Sequence, residues 1–371
     1  MKQIFILIFT IVLFIGCTST TINNTTIKED KKEIFYISDQ ENIFDKNDTN
    51  ITTNTVEVVD DVKEQQNIAL IFSSSKLGKY ALDVSSTINS FLIYKSNITT
   101  IKIFDIDEEQ FKDGLLLDRL KKENIKKVIA LLTNDETDLI NRLNTNEIVF
   151  YFPLLNINDI DNLELTENLI FGAIDYKKQF ETIFTYLDSS ICTDFYDNTP
   201  LGETLHSYID KKNMIFEKKI DNKNGNYKYF LKNSKLLESI LVLNTPIIKS
   251  SILLSQISAL DIDIKQIISS QINYTPLLLS LTQEEDRKNI LLANSIGYIP
   301  VEYVEYAQTV DVDLLYNWVN YTSVVGLEYL LSNNIDLFKD LSLKNNQVIY
   351  PIKLYRVNKN KFVELKNKKD H

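Results

Sequence analysis

Histidine is almost absent: two occur in 371 residues, His206 within a segment of helical pattern and His371 at the end. So few leave no Ser-His-Asp arrangement and no His-rich metal site, and the pattern around His206 reads as a surface helix. Glycine is nearly as scarce, and eight glycines spread over the chain exclude Walker and dinucleotide loops, which need several in one short run. Clustered basic charge is lacking too. With 40 Lys and Arg against 51 Asp and Glu, a net charge of −11 and a pI near 4.9, the chain is a poor partner for nucleic acid. The basic stretch from Lys359 to Lys369 reads as a solvated tail. The acidic runs Asp105-Ile106-Asp107-Glu108-Glu109 and Glu284-Glu285-Asp286 fall at loop ends or helix starts, where carboxylates act as caps. The expectation is a protein that is not an enzyme and uses no metal or cofactor.

Only one stretch is long and apolar. After Met1-Lys2-Gln3, residues Ile4 to Ile15 are apolar except for Thr10, and Gly16-Cys17-Thr18-Ser19 follows. A basic residue, about a dozen apolar residues and a small residue at the cut make a secretory signal; a spanning helix needs roughly 20. Phe14-Ile15-Gly16-Cys17 resembles the lipobox of bacterial lipoproteins, which implies a signal over 1–16 and acylation of Cys17. The family's usual Leu three residues before the Cys is Phe14 here. Several acyl chains would hold the protein on a membrane, since each buried methylene contributes about 0.8 kcal/mol. Thr18 after the Cys implies sorting to the outer membrane, with the rest of the chain in the periplasm. Cys192 is then left without a disulfide partner and reads as a small buried hydrophobe.

From 17 to 65 the chain is rich in Thr, Asn, Asp, Lys and Glu and holds few core-forming positions. Such a segment does not offset its ordering entropy and reads as a disordered tether. Its reach is on the order of 35–40 Å. The sequences around Asn47 and Asn50 resemble the extended bacterial N-glycosylation sequon, a match that this composition also produces by chance.

Patterning changes at Asn67. Short apolar runs at 67–72, 101–104, 127–132, 147–151 and 169–172 read as strands, with helices expected over 77–94, 108–123 and 134–143. The alternation begins again, with strands expected at 191–195, 214–217, 240–243 and 266–269 and helices at 176–187, 201–209, 227–238 and 247–260. The fold class is therefore α/β, with two Rossmann-like lobes, each a parallel sheet covered by helices on both faces.

Three stretches resemble the type I periplasmic binding-protein fold of the branched-chain amino-acid-binding class. They are Ile68 to Ala81 (strand, Ser-bearing loop, helix), Phe195 to Glu203 (strand, Asp-Asn, Gly-containing helix start), and the ending Gln347 to Val357 with Lys361 to Leu365. The resemblance implies a domain over 66–366 with a three-crossing hinge. The first lobe is expected over about 66–172 and 276–335, the second over about 173–275 and 336–366, and 367–371 is a tail.

In that fold a ligand lies between the lobes at the carboxyl ends of the strands. Carried over by position, the loop residues are Ser73, Ser74, Ser75, Thr133 and Asn134 in the first lobe and Thr245, Ser269 and Ser270 in the second. They suit a small polar ligand, yet the same residue types serve as helix caps and turns. The first loop lacks the family's Gly after its Ser and carries Lys76 instead, which speaks against an amino acid. Among relatives of the fold are outer-membrane lipoproteins that activate penicillin-binding proteins through a surface. Two functions stay open: a lipid-anchored scaffold for an envelope protein partner, such as a regulator of peptidoglycan synthesis, and a substrate-binding lipoprotein of an ABC importer.

Overall fold

The computed structural model describes residues 67–107, 114–145, 147–221 and 225–366. The signal, Cys17, the tether with Asn47 and Asn50, and the tail at 367–371 lie outside the described residues.

Each half of the fold is a seven-stranded sheet. The first has the strand order β11-β12-β5-β4-β3-β1-β2, and the second repeats it as β14-β13-β10-β9-β8-β6-β7. In the first, β1 (Asn67–Phe72), β2 (Thr100–Asp105), β3 (Lys127–Leu131), β4 (Val149–Phe152) and β5 (Leu169–Phe171) run parallel. In the second, β6 (Cys192–Asp197), β7 (Met214–Ile220), β8 (Ile240–Asn244), β9 (Ile267–Ser269) and β10 (Ile290–Asn294) do the same. Both sheets end in antiparallel pairs, so they are mixed rather than purely parallel. These are β11 (Ser342–Lys344) with β12 (Gln347–Ile349), and β13 (Lys353–Asn358) with β14 (Lys361–Glu364).

The strands are fully buried where helices cover both faces, which is why Val128 to Leu131 and Ile240 to Asn244 carry no polar alternation. Helix α1 (Ser74–Tyr94) turns Leu77, Ala81, Val84, Ile88 and Phe91 onto the first sheet at helical spacing. The next two helices are short: α2 (Leu116–Lys122), within the stretch expected over 108–123, of which 108–113 lie outside the described residues, and α3 (Thr137–Arg142). In the second lobe, α4 (Tyr176–Leu187) starts at Asp175, which accepts from the Lys178 amide at 2.7 Å. Helix α5 (Pro200–Ser207) starts at Thr199, with Pro200 in the first turn. The helix expected over 227–238 is instead α6 (Lys228–Leu231) and a 3-10 turn at Ser234–Leu237. Then come α7 (Ile247–Ala259) and α8 (Pro276–Leu281). Helices α9 (Val301–Thr309) and α10 (Trp318–Ser332) pack on the first lobe beside α1, Phe91 meeting Tyr303 edge-on at 5.1 Å.

The sheets correct two lobe boundaries. The return to the first lobe, expected near 276, comes only after β10, because Ile290–Asn294 pairs with β9 and β13. The stretch from 336 does not belong wholly to the second lobe either: β12 pairs with β5 of the first sheet, and β13 crosses over to β10. Pro351, which has no amide hydrogen for a ladder, sits in that third crossing. The crossings therefore fall at 172–175, 295–300 and 350–352. One hydrophobic cluster runs through them, from Leu70 and Tyr151 past Ile174 and Phe180 to Val242 and Ile268.

Candidate functional site

The candidate residues lie at or just after the carboxyl ends of the parallel strands. In the first lobe they are tied to one another. The Asp107 carboxylate, on the loop after β2, accepts from Ser73 Oγ at 2.7 Å and from the Ser75 backbone N–H at 2.6 Å. Asp105 accepts from the Ser74 N–H at 3.1 Å. Together they occupy the amino end of α1, where orphan amides and the helix dipole favour an anion. The Ser75 N–H, the strongest of several donors, holds the Asp107 carboxyl down at about 2. Asp105 and Asp107 thus cap a helix that begins some thirty residues before them.

The loop after β3 is closed in the same manner. Glu136 accepts from the Thr133 N–H at 2.7 Å and from its hydroxyl at 2.8 Å, and the Asn134 carbonyl accepts from Thr137 Oγ1 at 3.0 Å. Lys76 bridges the two loops, with Nζ 2.8 Å from Asp135 and 3.5 Å from Glu136. The hydrogen bond to Asp135 raises the Lys76 ammonium above its ordinary value. All five candidate residues of this lobe sit at the carboxyl ends of β1 and β3; the hydroxyls of Ser73, Ser74, Ser75 and Thr133 are bound within the chain, and Asn134 is engaged through its backbone carbonyl.

In the second lobe the polar groups are buried. Thr245 Oγ1 lies 2.8 Å from Ser250 Oγ, and Ser269 Oγ donates to the Leu243 carbonyl at 2.7 Å. Asn273 ties these together, its Nδ2 donating to Ser269 Oγ at 2.9 Å and Ser250 Oγ at 3.0 Å. Ser270 points to the other face of the sheet, and its hydroxyl is fully buried with no hydrogen-bond partner among the described residues. Asn244 Oδ1 is likewise unpartnered. The β8–β9 register pairs Val242 with Ile268, so Asn244 and Ser270 stand level two residues further on. Nearby, Asp197 holds Lys249 at 2.6 Å and Thr199 Oγ1 at 2.6 Å.

His206 is not the surface residue its helix pattern implied. Its Nδ1 lies 2.6 Å from the wholly buried Asp194, its ring stacks on Tyr196 with centroids 3.8 Å apart, and Nε2 faces Glu217 at 3.6 Å. Asn244 Nδ2 donates to the other Asp194 oxygen at 2.9 Å. The hydrogen bond to Asp194 raises His206 above its ordinary value, and burial raises Asp194 as well. The clue was Asp194 itself. An acid mid-strand in a sheet covered on both faces requires a partner, and His206 lies one turn from the buried Gly202.

Between the lobes the hinge is aromatic. A Cβ added at Gly172 would fall on Tyr151 Oη, and one at Gly326 would fall on the Tyr151 ring. The ring of Tyr151 thus fits only because both positions are glycine. Tyr350 donates to the Gly172 carbonyl at 2.7 Å, and Tyr321 Oη accepts from the Gly297 N–H at 3.2 Å. Each of the three crossings is therefore tied to this tyrosine cluster. A second tie is made of amides. Gln271 accepts from the Ser295 N–H at 2.6 Å and donates to Asn294 at 2.8 Å, and its own N–H donates to Gln179 at 2.9 Å.

Two cavities are lined by second-lobe residues. One of about 340 Å³ opens among Asp261, Asp263, Glu285 and Lys288, at the amino ends of β9 and β10. The other, of about 210 Å³, lies between α4 and the end of α5, beside Phe184 and Tyr208. Cys192 is free and buried. No helix among the described residues is long and apolar enough to cross a membrane.

No family model matches the chain, and no curated protein matches it. Solved structures do. A branched-chain amino acid ABC transporter periplasmic ligand-binding protein from Burkholderia xenovorans aligns with a TM-score of 0.60 at 8% identity, over 81% of this chain and 95% of that one. The substrate-binding protein LivJ from Streptococcus pneumoniae, in complex with isoleucine, aligns with a TM-score of 0.54 at 12% identity, over 81% of this chain and all of that one. LpoA from Haemophilus influenzae aligns with a TM-score of 0.56 at 12% identity, over 82% of this chain but only 59% of LpoA. Its C-domain alone, described as a regulator of PBP1A, is covered completely, with a TM-score of 0.53 at 11% identity. The fold is the type I periplasmic binding-protein fold.

Proposed function

We propose that this protein is a lipid-anchored envelope protein, tethered through Cys17 on the periplasmic side of the outer membrane, that works by holding a protein partner of the cell-wall synthesis machinery. The observation that carries the reading is Asp107. The amino end of a helix is a ready site for an anion, and here the chain's own carboxylate fills that end of α1 with Ser73, Ser74 and Ser75 around it. Thr133 is held likewise by Glu136, and the hinge is fastened at all three crossings. Such a domain acts through its surface. The likeness in fold to the C-domain of LpoA, a regulator of PBP1A, supports a penicillin-binding protein as the partner. Cross-linking in intact cells followed by native co-purification tests this: the expected result is a penicillin-binding protein among the captured envelope proteins. Recovery of no envelope partner overturns it.

The second reading, a substrate-binding lipoprotein for a small polar ligand, is favoured by one observation. Ser270 Oγ and Asn244 Oδ1 are buried polar atoms without partners, side by side in the second lobe. Thermal-shift measurement against amino acids and amides decides it, and a melting temperature unmoved by any of them rules it out.

A further inference from the structure

The two sheets share one strand order, yet their outer edges differ. At the edge of the second sheet, β7 carries Glu217, Lys218 and Lys219 in mid-strand, charges that discourage pairing with another strand. In the first sheet β2 holds the same place and reads Thr100-Ile101-Lys102-Ile103-Phe104-Asp105. Its one cation, Lys102, is level with Ala69 on the side of α2, where Glu123 holds it at 3.0 Å. Ile103 is level with Leu70 on the side of α1 and is 55% exposed. The Ile106 N–H donates to the Phe72 carbonyl at 2.8 Å. Backbone direction alternates along a strand, so the even-numbered residues face β1, while Ile101, Ile103 and Asp105 turn their N–H and C=O groups outward. Those outward groups have no partner among the described residues.

Helix α1 adds an uncharged flank above this edge. Because α10 covers β3 and β4, and α9 meets α1 at Tyr303, the opposite flank of α1 is the one beside β2. Gly78, Leu82, Ser85, Asn89 and Ile93 follow one another down that flank at helical spacing. Leu82 is 73% exposed and Ile93 63%. Glycine is a poor helix former, and a Cβ added at Gly78 would meet nothing within 4 Å. One copy of the fold therefore gives no reason for this glycine, unlike Gly326, whereas a second helix approaching from outside does.

We infer that two copies of this chain associate edge to edge through β2, antiparallel about a two-fold axis at Ile103, with their α1 flanks facing each other. In that register Ile103 meets Ile103 and Ile101 meets Asp105, each pair joined by its outward backbone groups, and Lys102 stands beside Phe104 of the other copy. No like charges are opposed. The contact uses the same patch on both copies and closes at two. A strip about 30 Å long, the length of α1, and about 20 Å deep, a helix layered on a sheet, buries on the order of 600 Å² per copy, which reaches the lower bound of specific interfaces.

The pairing depends neither on the lipid anchor nor on a cell-wall partner, so the test uses the full chain with Cys17→Ser. Sedimentation equilibrium at about 50 µM should show a dimer. Ile103→Asp sets two carboxylates against each other and should weaken association at least about a hundredfold. Its melting curve should be unchanged, because the position is exposed. Leu277→Asp, at an exposed position of the second lobe, should change association less than about twofold. If Ile103→Asp fails to fold, Leu82→Glu with Ile93→Glu should still weaken association about tenfold. Mild oxidation of Ile103→Cys should link the two copies by a disulfide, since paired residues of this kind have Cα atoms about 5.5 Å apart, and Leu277→Cys should stay unlinked. A monomer at that concentration, a dimer that Ile103→Asp leaves intact or that Leu277→Asp weakens equally, or equal cross-linking of the two cysteine variants overturns the inference.

Discussion

In the first lobe, acids from neighbouring loops reach across to the end of α1 and to Thr133, and their bonds lie at the surface. In the second lobe Asn244, Ser269, Ser270 and Asn273 at the equivalent strand ends, and Asp194 within β6, are all buried. The strand order is the same in both sheets. What differs is whether water competes for the polar groups. Exposed networks gain little per bond and are screened by salt, whereas a buried network is costly to leave incomplete. The charge follows the same division, with the first lobe net acidic and the second, 173–300 with 350–371, carrying 21 Lys and Arg against 17 Asp and Glu.

The strongest way to break this comparison is His206→Ala. It strands Asp194 in the core and should cost about 3–5 kcal/mol in urea unfolding; a loss below about 1 kcal/mol would mean that the pair is not buried as described. The pH response carries a sign. Because the folded value of His206 is raised, the pair's contribution is complete below about pH 6.5 and disappears as pH rises through that folded value.

Next in size, Gly326→Ala sets a methyl against Tyr151 and should destabilise by about 1–3 kcal/mol, read from the same unfolding curves. An unchanged midpoint would show that the ring can move aside.

Asp107→Asn in the first lobe should cost only about 1 kcal/mol, as the loss of a helix cap does. Its pH window is the reverse of that of His206. With the folded value near 2, the contribution is complete above about pH 4 and is lost as pH falls toward 2, which the Asn variant should abolish.

The smallest effect is expected from Ser270→Ala, which removes a hydroxyl that has no partner. It should be neutral or stabilising by up to about 1 kcal/mol. A clear destabilisation would reveal a bound water or ligand at that oxygen.

Much of the fold was legible because fully buried parallel strands are short apolar runs: Asn67–Phe72 begins and ends where its residues say it should. Allocation of strands to sheets was not legible. Ile290–Asn294 has the same apolar character as any first-lobe strand, and nothing local says which neighbour it takes. Gln347 to Val357 reads as one strand, and only Pro351 marks the crossing inside it. Asp107 read as a cap for the helix after it, since the helix it caps lies 32 residues earlier. The loop serines and threonines do lie at strand ends, but pattern alone does not tell a residue waiting for a ligand from one already held by its own chain.

Tyr151 has an implication for how this chain can change. Its ring occupies the volume of two missing methyl groups, one on the first crossing and one on α10. The three positions are therefore epistatic. An alanine at 172 or 326 is harmful while the ring is present and becomes acceptable once residue 151 is small, so any mutational route that loosens this hinge must pass through position 151 first.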